Sequence, residues 1–133
     1  MKNQTTAFAL GGRILIAILF FFSGIGKLAA PAMTQGYIAS VGLPAPLLGY
    51  LIAVIVEIVG PVLLVLGYQT RIVALALAGF TVATALMFHN DFADQNQLIH
   101  FLKNIAVAGG LLQVVAFGAG ALSLDARRAL AAR

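Results

Sequence analysis

Residues 47–67 read LLGYLIAVIVEIVGPVLLVLG, and every position in this run is apolar or small except Tyr50 and Glu57. A transmembrane helix needs about 20 consecutive apolar residues, so this stretch is long enough to span a bilayer. Glu57 lies ten residues from either end, which places it near the membrane midplane. A charged side chain is costly at that depth, so we expect Glu57 to face protein or water instead of lipid.

Pro61 follows Glu57 by about one helical turn. Proline has no backbone N–H, so the Glu57 carbonyl loses the donor that a helix would normally provide. One level of the membrane therefore carries both an ionisable side chain and a freed backbone oxygen.

The composition is that of an integral membrane protein. Hydrophobic residues make up 62% of the 133 residues and charged residues 9%, whereas soluble domains carry about 25% charged residues. Membrane segments fill nearly the whole chain, which leaves no room for a soluble catalytic domain. The net charge of +4 does not indicate nucleic-acid binding, because the basic residues lie at segment ends, where they set topology or contact anionic lipid. The chain has no cysteine, which excludes disulfides, c-type haem attachment and Fe–S ligation by cysteine within it.

The hydrophobic runs predict an all-α fold, a four-helix transmembrane bundle that forms a single membrane domain over residues 1–133. The predicted spans are about 10–30, 47–66, 71–88 and 98–117. Residues 31–46 are too polar and too rich in breakers to span, and they predict a short interfacial helix between helices 1 and 2 that ends at Gly42. Residues 89–97 form a polar loop. Residues 118–133 form a basic tail, in which Ser123 can cap a short surface helix.

The basic residues predict the orientation of the bundle. With four spans, both termini and the 67–71 turn share one side of the membrane. That side carries six basic residues and the other side two, so the positive-inside rule predicts cytoplasmic termini and outward-facing segments at 31–46 and 89–97. The six are Lys2, Arg13, Arg71, Arg127, Arg128 and Arg133, and the two are Lys27 and Lys103.

A series of short motifs runs through the chain: Arg13, SGIGK (23–27), GLP (42–44), Glu57 with GP (60–61), LGYQTR (66–71), His89 and GAGALSLD (118–125). Their order and spacing resemble the DoxX family of small bacterial membrane proteins. The resemblance implies a four-helix fold in the bacterial cytoplasmic (inner) membrane. Some relatives are small subunits of a thiosulfate:quinone oxidoreductase, and others accompany redox enzymes or methylamine-oxidation machinery. The family pattern falls on Arg13, Lys27, Glu57, Arg71 and His89, none with an established catalytic role.

Glu57, Arg13, Lys27 and Tyr50 form the predicted intramembrane site. Arg13 and Lys27 are 14 residues apart, about 21 Å along a helix, and Glu57 lies between their heights, so either cation could reach it. One interpretation is a structural ion pair, and the other is a carboxyl group that exchanges protons with a bound membrane quinone or a water path. Tyr50 lies one heptad before Glu57, as an interface anchor or as the wall of the same cavity.

A second predicted site lies at the outward end, where His89, His100, Lys103 and Asn104 flank the polar loop. Ordinary interfacial histidines are the default interpretation. The alternatives are a hydrogen bond from His89 to a quinone headgroup and ligation of a metal or haem. The spacing fits no metal-binding motif, so no metal is predicted.

Three classes of function fit these features. The preferred one is a membrane subunit associated with a quinone-linked redox system, and whether it is itself an enzyme stays open. The alternative is a non-catalytic accessory protein that anchors or matures a partner. The third is a small transporter or proton path, which is disfavoured because no inverted repeat is visible. The expected partners are the lipid bilayer and a protein partner or a second copy, which could pack on the small residues Ala74/Ala78 and Gly79/Ala83.

Overall fold

The structure is a computed structural model that describes residues 1–133, and all of its regular elements are helices. Four of them are long and apolar enough to cross a membrane, which confirms the predicted all-α transmembrane fold. These four are α1, α3, α4 and α5, whereas α2 and α6 are short. The helices are α1 (Lys2–Ala29), α2 (Pro31–Ser40), α3 (Pro46–Leu66), α4 (Thr70–Phe88), α5 (Gln95–Phe117) and α6 (Leu124–Ala131).

Two membrane helices begin earlier than their hydrophobic runs. α1 begins at Lys2 instead of near residue 10, because the hydroxyls of Thr5 and Thr6 donate to the carbonyls of Met1 and Lys2 and the polar head continues the helix. α5 begins at Gln95 instead of near residue 98, where the Asp94 carboxylate caps it by accepting from the Asn96 N–H at 2.9 Å. Hydrophobicity marks where a helix enters the membrane, whereas capping and backbone bonding determine where it begins.

The short elements follow the prediction closely. α2 is the expected helix between the first two spans, and Pro31 occupies its first turn, where a missing N–H costs nothing. It ends at Ser40, just before Gly42, whose positive φ of 83° turns the chain toward α3. α6 begins after Ser123, whose hydroxyl accepts from the Ala126 N–H at 3.1 Å. The tail therefore carries the predicted Ser123-capped helix.

The bundle consists of two antiparallel pairs, α1 with α3 and α4 with α5, joined mainly through α3 and α4. We call one end the terminal end, which holds both chain termini, the 67–69 turn and residues 118–133. The opposite end is the loop end, which holds α2 and residues 89–94. The core lies toward the terminal end, where Leu64, Leu77 and Leu111 are completely buried. At the loop end, α1 and α5 barely touch, and this leaves a cavity between them.

The small residues of α4 have two different roles. Ala74 and Ala78 are buried in the core, where α4 packs on α5. Gly79 and Ala83 are exposed, and a Cβ added at Gly79 would meet nothing within 4 Å. Only this second pair is free to contact another protein, so homo-oligomerisation through α4 stays a prediction for that half of the face. The cytoplasmic location of both termini also stays a prediction.

Candidate functional site

Glu57 is the buried acid of a polar triad, with the half-buried Ser23 and Lys27, at the base of the loop-end cavity. It is 6% exposed, and its Oε1 accepts from the Ser23 hydroxyl at 3.0 Å. The Lys27 ammonium donates to the same Ser23 hydroxyl at 2.8 Å and lies 2.8 Å from Glu57 Oε2. The contact with Oε2 is the only ion pair in the chain. A carboxylate oxygen has more than one acceptor site, so Oε2 can accept a further hydrogen bond beside Lys27.

The SGIGK motif explains how α1 reaches Glu57. Ser23 and Lys27 are four residues apart, so they lie on the same face of α1. Gly24 brings this face against α3, because a Cβ there would lie 3.1 Å from both the Cβ and the carbonyl oxygen of Glu57. The motif thus supplies a hydroxyl, a close helix contact and an ammonium group at one level of the bundle.

Arg13 does not take part in this site. Its guanidinium lies at the terminal end and donates to the carbonyls of Leu64 and Val65, at 2.9 and 2.7 Å, and to that of Leu122. Of the two cations that could have reached Glu57, only Lys27 does so. Tyr50 is buried at 8% exposure, but it does not line the cavity.

Arg13 belongs instead to a structural cluster at the terminal end, formed by Arg13, Gly67, Thr70 and Asp125, which we call the clasp. The Asp125 carboxylate caps α4 by accepting from the N–H groups of Gln69 and Thr70, both at 2.8 Å, and from the Thr70 hydroxyl. Its own N–H donates to the Gly67 carbonyl at 2.9 Å. Burial alone would raise the pKa of Asp125, but the hydrogen bonds from Thr70 and Gln69 outweigh burial and hold this pKa below its usual value.

The loop-end cavity connects the two predicted groups of residues. It has a volume of about 720 Å³ and lies between α1, α2, α3, α4 and α5. Glu57, Ser23 and Lys27 line it at membrane depth. The outward group, His89, His100, Lys103 and Asn104, lines it toward the loop end. Two sets of residues that are far apart in the sequence therefore face one space.

The histidines of the outward group interact with each other. The rings of His89 and His100 stack with their centroids 5.1 Å apart. His89 Nδ1 lies 3.2 Å from Gln97 Oε1, and Lys103 Nζ lies 3.2 Å from His100 Nδ1. Burial lowers the pKa of His89, the bond to Gln97 opposes this shift, and the nearby His100 and Lys103 add to it. A neutral His89 whose Nδ1–H donates to Gln97 Oε1 keeps Nε2 as an acceptor.

Sequence reasoning missed three residues that shape the cavity. Ser23 bridges Lys27 and Glu57, and its spacing of four from Lys27 was the available signal. Gln97 orients His89 across the 89–94 loop. Tyr37 on α2 donates its hydroxyl hydrogen bond to the Phe88 carbonyl at 3.1 Å, and its ring lies 5.3 Å from the Phe88 ring at a tilt of 36°, so it connects α2 to the end of α4. No group of three or more His, Cys, Asp or Glu side chains lies close enough together to hold a metal ion.

Comparison with known proteins finds one family model and several similar membrane proteins. The DoxX family model matches residues 8–90. Inner membrane protein YqjF of Escherichia coli (strain K12) is 38% identical over 125 residues, which cover 94% of this chain and 95% of that protein. Inner membrane protein YphA of the same organism is 36% identical over 121 residues, which cover 86% of each chain. A Bacillus subtilis (strain 168) protein named "Putative oxidoreductase CatD" is 37% identical over 78 residues, which cover 56% of this chain and 57% of that protein.

No solved structure matches this chain significantly. The family match covers more than half of the chain, and the two Escherichia coli relatives match along nearly their whole length. Both are inner membrane proteins by name, which agrees with the four apolar helices found here. This chain therefore belongs to the DoxX family of membrane proteins.

Proposed function

We propose that this protein is the membrane subunit of a quinone-linked redox system and that it holds a quinone headgroup in the loop-end cavity. The observation that carries this proposal is the polar triad at the base of the cavity. Lys27 can donate a hydrogen bond to the carbonyl oxygen of a quinone. Glu57 Oε2, which has acceptor capacity left beside its contact with Lys27, can accept one from the hydroxyl of the reduced quinol. The two side chains are thus matched to both redox forms of one ligand.

The apolar lining supports a ligand that enters from the bilayer. Phe22 lines the cavity and is 82% exposed, and Ile52 lines it and is 49% exposed. Both lie on membrane-spanning helices, so the wall of the cavity is continuous with the lipid-facing surface. An isoprenoid tail can leave the cavity along this surface while the headgroup stays at the triad.

The proposed redox role requires a partner enzyme, because this chain has no redox group of its own that could supply electrons. When bound, a quinone supplies redox chemistry, because two electrons and two protons convert it into the quinol. The electrons would come from a partner enzyme that oxidises its own substrate, and Glu57 and Lys27 would hold the headgroup and relay protons from water at the loop end. The name of the Bacillus subtilis relative agrees with a redox role for such proteins.

The test is purification in mild detergent followed by lipid extraction and identification of every protein that co-purifies. The variants are wild type, Glu57→Gln and Asp91→Asn, the last a matched loss of a carboxylate in the exposed loop. We expect quinone in wild type and in Asp91→Asn, and at least a tenfold lower amount in Glu57→Gln. Equal quinone in all three samples, or none in folded wild type, would contradict the proposal.

The alternative is a non-catalytic accessory protein, and one observation favours it. Lys27, Ser23 and Glu57 already join α1 to α3 without a ligand. The exposed Gly79 and Ala83 face of α4 is available to a partner helix. A stable protein partner with no quinone in either wild type or Glu57→Gln would favour this function over the first.

A further inference from the structure

A second cleft, of about 440 Å³, lies at the terminal end between the start of α4 and the bend that follows α5. Arg71, Gly118, Ala119, Gly120 and Asp125 are among its lining residues. It is separate from the loop-end cavity and shares no lining residue with it. Nothing in the proposed redox function uses it.

The cleft contains donors that have no partner in the protein. The Arg71 guanidinium makes no ion pair, since the only one in the chain joins Lys27 to Glu57, and Arg71 is absent from the side-chain hydrogen bonds. It lies beside Gly118, where a Cβ would be 3.5 Å from its Nε and 3.6 Å from its Nη2. The backbone N–H groups of Ala119 and Gly120 also donate to no protein acceptor. Ala119 is only 6% exposed, and unpartnered N–H groups are rare at buried positions.

The charge of the cleft favours an anion. Asp125 is its only acid, and both of its carboxylate oxygens already accept hydrogen bonds from Gln69 and Thr70. The Asp125 charge is further balanced by Arg13 and Arg128, which both interact with it electrostatically. The positive charge of Arg71 is therefore left without a counter-ion.

The surroundings of the cleft favour a ligand that also carries hydrocarbon. Ile72 is 69% exposed and Phe117 is 79% exposed, and they lie beside the cleft at the membrane ends of α4 and α5. Apolar side chains next to a guanidinium at the edge of a membrane span are suited to a lipid, whose phosphate and acyl chains meet at that depth. We propose that this cleft binds the phosphate of an anionic phospholipid, with Arg71 and the free N–H groups of Ala119 and Gly120 on the phosphate and the acyl chains along Ile72 and Phe117.

The test is native mass spectrometry of delipidated protein titrated with phosphatidylglycerol or with phosphatidylcholine of the same acyl chains. The proteins are wild type, Arg71→Gln and Arg127→Gln, which removes an equal charge from an exposed position of α6 outside the cleft. We expect wild type and Arg127→Gln to retain one phosphatidylglycerol about tenfold more tightly than phosphatidylcholine, and Arg71→Gln to lose that preference. An added series with millimolar inorganic phosphate distinguishes a lipid site from a free-phosphate site.

Each outcome bears on the proposal. Equal losses in Arg71→Gln and Arg127→Gln would show general attraction to a basic surface, which overturns it. Displacement of the lipid by inorganic phosphate would also overturn it as a lipid site. If Arg71→Gln does not fold, Arg71→Lys serves instead, because it keeps the charge and loses the two-pronged donor geometry. A several-fold weaker retention by Arg71→Lys supports the proposal, and unchanged retention overturns it.

Discussion

The two ends of this bundle each depend on a cation of α1, and the two cations behave differently. At the terminal end, Arg13 is 1% exposed and donates to backbone carbonyls of α3 and of the C-terminal segment. At the loop end, the Lys27 side chain is 27% exposed, faces a cavity and pairs with Glu57. A guanidinium is always charged and presents several donors in a fixed plane, whereas an ammonium can change its protonation when its surroundings change. Arginine therefore suits a permanent structural contact, which is the role that Arg13 has at the terminal end.

Packing differs between the two ends in the same way. The fully buried Leu64, Leu77 and Leu111 lie toward the terminal end, and Gly67 leaves no space for a side chain there. The loop end holds the larger cavity and, lining it, the ion pair of Lys27 with Glu57. This difference favours a structural role for the terminal end and agrees with the proposed ligand site at the loop end.

Replacing Arg13 is expected to have the largest effect on stability. Arg13→Met removes three hydrogen bonds, which leaves the carbonyls of Val65 and Leu122 without a donor and that of Leu64 with only the Gly67 N–H at 3.2 Å. Hydrogen bonds to a charged group contribute about 1.5–3 kcal/mol each, so the loss of three should lower the free energy of unfolding by at least about 4 kcal/mol. The measurement is unfolding in mild detergent, with Arg127→Met as the control for a lost surface charge. If Arg13→Met unfolded with the same free energy as wild type, the terminal end would not have the structural role assigned to it.

Gly67→Ala should have the next largest effect. Gly67 has a φ of 68°, and a Cβ there would overlap Ser123 and lie 2.9 Å from Arg13 Nη1. We expect a loss of about 2–3 kcal/mol from left-handed backbone strain and displacement of the clasp. Gly79→Ala, in open space on α4, is the matched control and should unfold like wild type. Equal stabilities for the two alanine variants would mean that the terminal end is loosely packed.

The Lys27–Glu57 pair should contribute less to stability than the clasp does. Lys27→Met and Glu57→Gln each leave one partly buried partner unpaired, at a cost of about 1–2 kcal/mol. The double variant should cost less than the sum, with a coupling energy of about 1 kcal/mol. Thermal unfolding of the four proteins measures this cycle. A coupling energy near zero would show that the ion pair is not maintained, and a loss as large as that of Arg13→Met would assign the loop end a structural role.

The smallest effects should appear as pH is lowered, and they should separate the two ends. The pKa of His89 lies below 6.5 in the fold, so the unfolded chain takes up a proton first and stability falls as pH drops from about 6.5 to the folded pKa. The pKa of Asp125 also lies below its usual 3.8, so its contribution persists above that value and is lost only as pH falls through the folded pKa. His89→Gln should abolish the first decrease in thermal stability and leave the second. A single acid transition, unchanged in His89→Gln, would contradict this separation.

Much of the fold could be predicted from the sequence. The four spans could be predicted because a membrane helix must be apolar over most of its length. The segments between them could be predicted because they contain prolines, glycines and polar residues. Glu57 and Lys27 were visible as site residues, because an ionisable group within an apolar run is costly and needs a partner. Helix starts at Lys2 and Gln95 were missed, since the Thr5, Thr6 and Asp94 bonds that set them are local and independent of hydrophobicity.

The sequence by itself determined that the chain crosses a membrane four times with an acid at mid-depth. Only the tertiary structure decided which cation pairs with that acid, because the sequence placed Glu57 between the heights of Arg13 and Lys27, whereas packing brings it level with Gly24, one helical turn from Lys27. The choice depends on how α1 packs on α3 and on the carbonyls that the 118–125 segment brings to Arg13. The tertiary structure also joined His89 and His100 to Glu57 in one cavity. Long-range packing determines both the pairing of Lys27 with Glu57 and the shared cavity. Hydrophobic periodicity contains no information about such long-range contacts.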